Sequence, residues 1–542
     1  MTPPATSSRF SFVLEKYHFF ILFFILGFAF FIRTYDLAGD PPGMYMDEAS
    51  SAYNAYSILH TGKDEHGKAF PLFFEAFGEY RQGLYIYSMI PSLVLFGLND
   101  FGTRFTSVLF GMGSVIIFYF IATRLFGRNI GLLASALLAI QPWHFFLSRV
   151  AFEGISFVFL FLTGLLLFLV GVTKEKNNFL LFISAAVFAL STYSYGVAKL
   201  FVPLFLAGLV LIYRHLFFSA PNKKIFSLCV TLFLLISFPL YYLSLFGEGN
   251  ARFQEGSIFA LSAHPFFTLG LNYISHYTPS FLFFEGDADL RHHLAHWGVL
   301  YPIEIIFALL GLLWCFRNRQ EKTAQFLLVW FVLFPLPASF MAGDTPHVLR
   351  TFIGAPLFAL LSALGIYLLW QFVKSRHASA AVLQKFSLEK LFLLFSVLVF
   401  VSYALSAGFY LHEYFTSYKV YSSDYWMSYA EPLLTYVEAH HQEYDHVYFS
   451  TAGFGRFGVY ILYRIQADPE QYLASGLKSF GYELCNMDVN ESCITENEHN
   501  LYIFKSIETP TINGTYNIYY PDNKTIAVKL FSGGRKSMSS SQ

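Results

Sequence analysis

The sequence predicts a polytopic α-helical membrane protein with about eleven spanning helices and a small α/β domain after the last of them. Three observations carry this. Of 542 residues, 55% are hydrophobic and only 13% are charged, whereas a soluble domain carries about 25% charged residues. Apolar runs recur at close to the roughly 20 residues that a helix needs to cross a bilayer. Only the segment 412–542 reads as soluble.

The apolar runs fall at 17–33, 105–122, 130–147, 155–172, 179–193, 197–213, 225–246, 299–316, 325–342, 352–373 and 391–411. Behind Phe19 to Ile32 come Asp36, Asp40, Pro41 and Pro42 rather than a small-residue cleavage site, so this run reads as a retained first helix. The shorter stretch Leu84 to Leu98 is ambiguous, and the basic residues decide it, because Lys and Arg accumulate on the cytoplasmic side. Suppose 84–98 lies along the membrane as a juxtamembrane helix. Then Arg9 with Lys16, Arg124 with Arg128, Lys174 with Lys176, Arg214 with Lys223 and Lys224, Arg317 with Arg319 and Lys322, and Lys374 with Arg376, Lys385 and Lys390 share one side. The acidic loop 34–104, the loop 247–298 and the tail 412–542 share the other. Were 84–98 to cross, the basic clusters would split between the faces. The expectation is a multi-pass cell-membrane protein with its N-terminus cytoplasmic. Residues 1–411 form its transmembrane domain and 412–542 an extracytoplasmic one.

In the tail, His446 to Ser450, Leu501 to Ile507 and Thr525 to Phe531 read as strands and Val459 to Ile465 as part of a helix. Cys229 and Cys315 sit in apolar runs. Cys485 and Cys493 lie in the tail, where a disulfide forms only if the compartment is oxidising. Asn490, Asn513 and Asn523 head N-x-Ser/Thr triplets, which matter only in a host that glycosylates them.

The chemistry-bearing residues gather at the outer ends of the helices. Asp47 and Glu48 follow the first apolar run and open a helical stretch, Ala49 to Leu59. Two readings stand: carboxylates favoured by a helix N-terminus, or a general base, Asp47, with Glu48 holding geometry or a cation. In Gly78-Glu79-Tyr80-Arg81-Gln82-Gly83, Tyr80 and Arg81 are either interfacial anchors or, for Arg81, a phosphate ligand suited by its planar fork. His144, Arg149 and Glu153 bring ionisable groups to the membrane rim, where such groups are costly and usually functional. His347 and Arg350, in the turn after Asp344, look like a phosphate-binding pair. His292 and His296 are one helical turn apart if that stretch is helical, which makes them weak metal candidates. Asp287 and Asp289 equally allow a solvated loop. No P-loop, dinucleotide fingerprint or GxSxG elbow has a credible strand–helix context, so nucleotide cofactors and serine hydrolysis are unsupported.

Asp47-Glu48-Ala49, Asn54-Ala55-Tyr56-Ser57, Gly78 to Arg81, Leu84-Tyr85, Ser148 to Glu153 and Thr345 to Arg350 together resemble bacterial glycosyltransferase family 39. This GT-C group is similar to the protein O-mannosyltransferases and the lipid A aminoarabinose transferase. The resemblance extends into the tail at Tyr425-Trp426, Tyr444-Asp445 and Asp468-Pro469 and is strongest over 40–155. It implies transfer of a sugar from a polyprenyl-phosphate donor, with inversion, on the extracytoplasmic face. Asp47 is then the base, Glu48 its partner and Glu153 the acid of the next outer turn. Arg81, Arg149, His347 and Arg350 would meet the departing phosphate, while Glu79, Tyr80 and His144 would contact the acceptor or a divalent metal ion. Relatives often carry Pro-Pro where this chain has Gln82-Gly83. No cofactor is certain. The expected partners are the lipid-linked sugar, an acceptor protein, lipid or glycan, and the bilayer, with no nucleic acid. A lipid-linked glycan ligase or polymerase, or a transporter or flippase, is the alternative.

Overall fold

A computed structural model describes residues 9–172, 177–218, 223–247, 256–343, 345–377, 387–455, 457–485, 499–505 and 516–532. Lys174, Lys176, Asp344, Lys385, Asn490, Cys493, Asn513 and the serine-rich end lie outside the described residues. The chain divides into two compact units. One comprises Met1–Tyr35, Ser107–Arg149 and Glu153–His412, the other Asp36–Thr106, Val150–Phe152 and Glu413–Gln542. The first outer loop therefore clusters with the C-terminal segment.

A helix lies in each of the eleven expected apolar runs. Among the described residues seven helices are long and apolar enough to cross a membrane: Tyr17–Thr34, Asp100–Phe126, Gly154–Gly171, Lys223–Phe246, Lys322–Ser339, Gly354–His377 and Leu388–Phe415. Four others, Arg128–Ile140, Asn178–Ser191, Ala198–Ile212 and Glu304–Arg317, run 13 to 15 residues. A helix of about 14 residues reaches only about 21 Å. Phe19, Phe20, Phe23 and Phe24 of the first span are exposed, an arrangement that hydrocarbon solvates and water does not.

Close packing in the first unit depends on small residues. A Cβ at Gly365 would lie 1.9 Å from the Phe307 carbonyl oxygen, and one at Gly311 would lie 2.2 Å from that of Leu361. The Glu304–Arg317 and Gly354–His377 helices thus touch backbone to backbone, the usual way that spanning helices gain packing in lipid.

The second unit contains the Met46–Thr61 helix, a hairpin, the Leu84–Phe96 helix and a small sheet. The hairpin pairs β1 (Phe73–Ala76) with β2 (Glu79–Gln82). Its two-residue turn, Phe77-Gly78, has positive φ at both positions (60° and 81°), the geometry whose twist matches the flanking strands. In sequence this segment reads as a loop, because four-residue strands are too short to show an alternating pattern. The C-terminal sheet has the order β4 (Tyr482–Cys485), β3 (His446–Ser450), β5 (Asn500–Lys505), β7 (Ile526–Ser532), β6 (Tyr516–Tyr519). Strand β3 is parallel to β4 and β5, and β7 is antiparallel to β5 and β6. One face buries Tyr448, Tyr502, Phe504 and Phe531 together. The expected helix appears as Gly458–Arg464, so the α/β reading of the tail holds. Cys485 is disulfide-bonded, whereas Cys229 and Cys315 are free.

Candidate active site

The Met46–Thr61 helix is entered through Gly43, whose φ is +82°; a Cβ there would lie 2.7 Å from the Trp426 carbonyl oxygen. Only glycine passes this point. Tyr45 caps the helix in extended conformation (φ −74°, ψ 149°), and Gly62 ends it in the left-handed region with its N–H on the Ile58 carbonyl. Asp47 and Glu48 therefore occupy its first turn, where the helix dipole favours negative charge.

The two carboxylates have different surroundings. Glu48 is fully buried. Its Oε1 accepts from Arg104 Nε at 3.1 Å and from the Ala151 N–H at 2.7 Å. Its Oε2 accepts from Arg104 Nη2 at 3.0 Å and from the Tyr45 N–H at 3.2 Å. Arg104 also donates to the carbonyls of Leu37 (3.3 Å), Pro41 (2.9 Å) and Gly43, and its guanidinium lies 5.6 Å from the Trp426 ring. Arg104 is absent from the sequence-derived set. A lone Arg near the start of an apolar helix looks like an interfacial anchor, and nothing local in the sequence marks its burial.

Asp47 keeps 31% of its side chain exposed, and Arg81 Nη2 lies 2.6 Å from its Oδ1. Arg81 is delivered by β2, opposite Phe74, and lies 5.7 Å from the Phe77 ring. Glu79 and Tyr80 are half-buried on the same strand, with the Tyr80 hydroxyl 3.5 Å from Glu75. Gly83 follows, where a Cβ would lie 2.7 Å from the Phe74 ring. The Gln82-Gly83 departure from the relatives' Pro-Pro thus has a packing reason. The Gly83 N–H donates to the Leu72 carbonyl at 3.0 Å, a bond that proline could not make.

In the other unit, His144 and Arg149 are completely buried. Arg33 Nη2 donates to His144 Nδ1 at 3.0 Å, and Arg33 Nη1 donates to the Ala139 carbonyl at 2.9 Å. Arg149 Nη1 donates to the Ile32 carbonyl at 2.7 Å. Arg33 and Arg149 lie 5.9 Å and 5.7 Å from the ring of Phe145. Glu153 stands half-buried just before the Gly154–Gly171 helix.

A third cluster centres on Asp287, which is buried rather than solvated. Its Oδ2 lies 2.9 Å from His292 Nδ1, 2.8 Å from the Val348 N–H and 3.9 Å from His347 Nδ1. Its Oδ1 lies 3.3 Å from His293 Nε2. Burial pushes this carboxyl up, but the charge of His292 and the hydrogen bonds from His292 and His293 outweigh it, holding Asp287 well below its ordinary value. Asp287, His292 and His347 each offer one ligand atom within 4.8 Å of the others. The pairing of His292 with His296 does not form. Residues 290–296 make turns instead of a helix, and His296 is exposed with φ at +63°. Arg350 extends from the same turn, its N–H 3.4 Å from His347 Nδ1. His276 accepts from the His347 N–H at 3.1 Å.

Residues 84–242 match a protein family described as dolichyl-phosphate-mannose-protein mannosyltransferase. An uncharacterised protein of Aquifex aeolicus (strain VF5) is 25% identical over 327 residues, 58% of this chain. The match spans only 56% of that relative's length. ArnT from Cupriavidus metallidurans, in a crystal structure bound to undecaprenyl phosphate, superposes with a TM-score of 0.56 at 11% identity, covering 94% of this chain and 97% of that one. The apo Archaeoglobus fulgidus oligosaccharyltransferase gives 0.53 at 14% identity, covering 92% and 70%. The chain has the GT-C fold of these membrane glycosyltransferases, and its 84–242 segment matches the mannosyltransferase family.

Proposed function

We propose that this protein is a membrane glycosyltransferase that moves a sugar from a polyprenyl-phosphate carrier to an acceptor on the extracytoplasmic face, with inversion, using Asp47 as general base. The observation that carries the assignment is the asymmetry of the acidic pair. Glu48 is saturated by four N–H donors, whereas Asp47 keeps an exposed face beside Arg81. Only Asp47 can take a proton from an arriving hydroxyl or amine. In the step, the acceptor loses that proton to Asp47 and its heteroatom bonds to the anomeric carbon. The bond from that carbon to the phosphate oxygen breaks, and the lipid phosphate leaves with the electron pair. Arg81 is placed to neutralise the departing charge. Glu48 acts as a positioning residue.

The undecaprenyl phosphate of the ArnT complex supports a lipid-phosphate donor. Arg149, His347, Arg350, Glu153, Glu79, Tyr80 and His144 remain proposed contributors to donor or acceptor binding. The burial of His144 and Arg149 favours supporting roles for those two. One carboxylate and two imidazoles fit the three-ligand, open-position pattern of a zinc site, so Asp287, His292 and His347 would hold a divalent cation. Such an ion would supply Lewis acidity toward a phosphate or hydroxyl oxygen. The distribution of Lys and Arg supports eleven crossings with a cytoplasmic N-terminus.

The test uses purified protein in detergent or liposomes, a panel of polyprenyl-phosphate sugars, and consumption of the lipid donor as readout. Wild type consumes one donor and Asp47→Asn, equally well folded, does not. Turnover by Asp47→Asn at the wild-type rate overturns the assignment. So does failure of folded wild type on every donor, which moves the search to diphosphate-linked glycans.

A further inference from the structure

Asn54 lies in the middle of the Met46–Thr61 helix and is buried, with Ser50 buried one turn before it. Asparagine is a weak helix former, and here its amide receives the loop that follows the helix. Asn54 Nδ2 donates to Glu65 Oε1 at 2.8 Å, and the Glu65 N–H donates back to Asn54 Oδ1 at 3.0 Å. Ser50 Oγ donates to the same Glu65 oxygen at 3.3 Å. Positions 47, 50 and 54 recur at the spacing of three and four residues that shares one helix face. The loop is therefore fastened to the face that presents Asp47.

The loop is closed on itself. Asp64 is buried, and its Oδ1 accepts from the His66 and Lys68 N–H groups at 3.0 Å and 2.8 Å. Lys63 bridges to Ala69, and the Phe70 N–H donates to the Gly62 carbonyl at 3.1 Å. Two adjacent carboxylates thus have separate roles: Asp64 folds the loop and Glu65 docks it. Only Pro71 and Leu72 separate Phe70 from β1. The Pro71 carbonyl accepts from the Tyr87 hydroxyl at 2.9 Å, and the Leu72 carbonyl from the Gly83 N–H at 3.0 Å. The hairpin that carries Arg81 accordingly has two roots, the docked loop before β1 and the Leu84–Phe96 helix after β2.

We propose that Glu65 is a positioning residue for the sugar transfer, which by docking this loop on Asn54 and Ser50 sets the hairpin so that Arg81 meets Asp47. The inference rests on the transfer reading above and adds a residue to it. Arg81 Nη2 stands 2.6 Å from Asp47 Oδ1, and a shift of the strand that delivers it is felt at that contact directly. Misplacing a reacting group by about 1 Å costs up to about 10²-fold in rate. The Glu65 carboxyl is held by neutral groups, a hydroxyl and an amide, and burial pushes it up. Glutamine therefore reproduces its shape and its acceptor oxygen.

The test is a double-mutant cycle on donor consumption by the full-length protein in detergent, with amide hydrogen exchange as a readout independent of turnover. Glu65→Ala lowers kcat/KM on the order of tenfold, chiefly through kcat, because Arg81 acts on charge that develops in the transition state. Asn54→Ala does the same, and Glu65→Gln stays within about twofold of wild type. In an Arg81→Ala background Glu65→Ala costs no more than about twofold, since its effect runs through Arg81. A residue that only stabilises the fold would cost the same in both backgrounds. Amides of Phe73–Gln82 exchange faster in Glu65→Ala, while those of the C-terminal sheet are unchanged. Equal losses in both backgrounds, full activity of the alanine variants, an inactive Glu65→Gln or unchanged hairpin exchange overturns the assignment. If folded wild type consumes no donor, the transfer reading falls, and hairpin exchange alone decides whether Glu65 docks this arm.

Discussion

Glu48 and Arg104 form a bidentate ion pair with neither side chain reaching solvent, Nε to Oε1 at 3.1 Å and Nη2 to Oε2 at 3.0 Å. The pair joins the first turn of the Met46–Thr61 helix to the start of the Asp100–Phe126 helix. The remaining Arg104 donors tie down the chain at Leu37, Pro41 and Gly43. The aspartate next to Glu48 is thereby presented on a fixed base.

Removing one partner leaves the other charge buried and unpaired, which costs about 3–5 kcal/mol. Arg104→Ala therefore lowers the thermal midpoint in detergent far more than Asp47→Asn, whose carboxylate is partly exposed. Glu48→Gln costs less than Arg104→Ala, because the amide keeps an acceptor for the Ala151 N–H. Equal midpoints for Arg104→Ala and wild type would refute the anchoring role.

Arg81 touches Asp47 directly, so its loss bears on turnover more than on folding. Arg81→Ala is expected to lower kcat/KM on the order of 10²-fold, the scale of removing one charge-stabilising donor. Arg81→Lys is expected to recover only part, since an ammonium lacks the planar fork. Donor titrations of the three proteins check this, with circular dichroism as the fold control. Full recovery by Lys would mean that only the charge matters.

Period and composition made the helices legible, and the charge-bearing ends of those helices drew attention to Asp47, Arg81 and His347. What stayed hidden was which groups are spent on the fold. Glu48 and Asp47 are adjacent and chemically alike, and only the distant Arg104 and Ala151 separate their roles. In sequence Asp287 reads as part of a solvated loop, because two of the partners that bury it, His347 and Val348, lie about 60 residues away. His292 and His296 paired only on the assumption of a helix, and a positive φ at His296 removes it.

The same geometry sets the metal prediction. Protein dialysed against zinc is expected to retain about one ion per chain, with ligands from Asp287, His292 and His347. His347→Ala and Asp287→Asn lose it, and His296→Ala keeps it. Elemental analysis of the folded protein reads this without reference to turnover. Retention by both ligand variants, or loss in His296→Ala, would rule the trio out.

The last prediction concerns acid. His276 Nδ1 lies 2.7 Å from the Asn272 carbonyl and must carry the proton, so Nε2 is the acceptor for the His347 N–H at 3.1 Å. A second proton on Nε2 would destroy that bond. Burial lowers this imidazole from 6.5 to about 4, outweighing the opposing pull of the Asn272 carbonyl, while the Arg350 charge lowers it further and Asp287 raises it slightly. Between those two values the unfolded chain binds a proton that the folded chain does not, so stability rises with pH across this window. The contribution is complete above pH 6.5, is lost on acidification toward pH 4, and has a ceiling of about 3 kcal/mol. His293 works in the opposite sense. Burial lowers it, but its bonds to Asp287 outweigh that and raise it, so its stabilisation is fully present below 6.5 and fades as pH rises through the raised value. His276→Gln keeps an acceptor for the His347 N–H but does not titrate. The thermal midpoint of wild type should therefore fall more steeply than that of His276→Gln between pH 7 and pH 4.5, and parallel curves would show that His276 is not the group responsible.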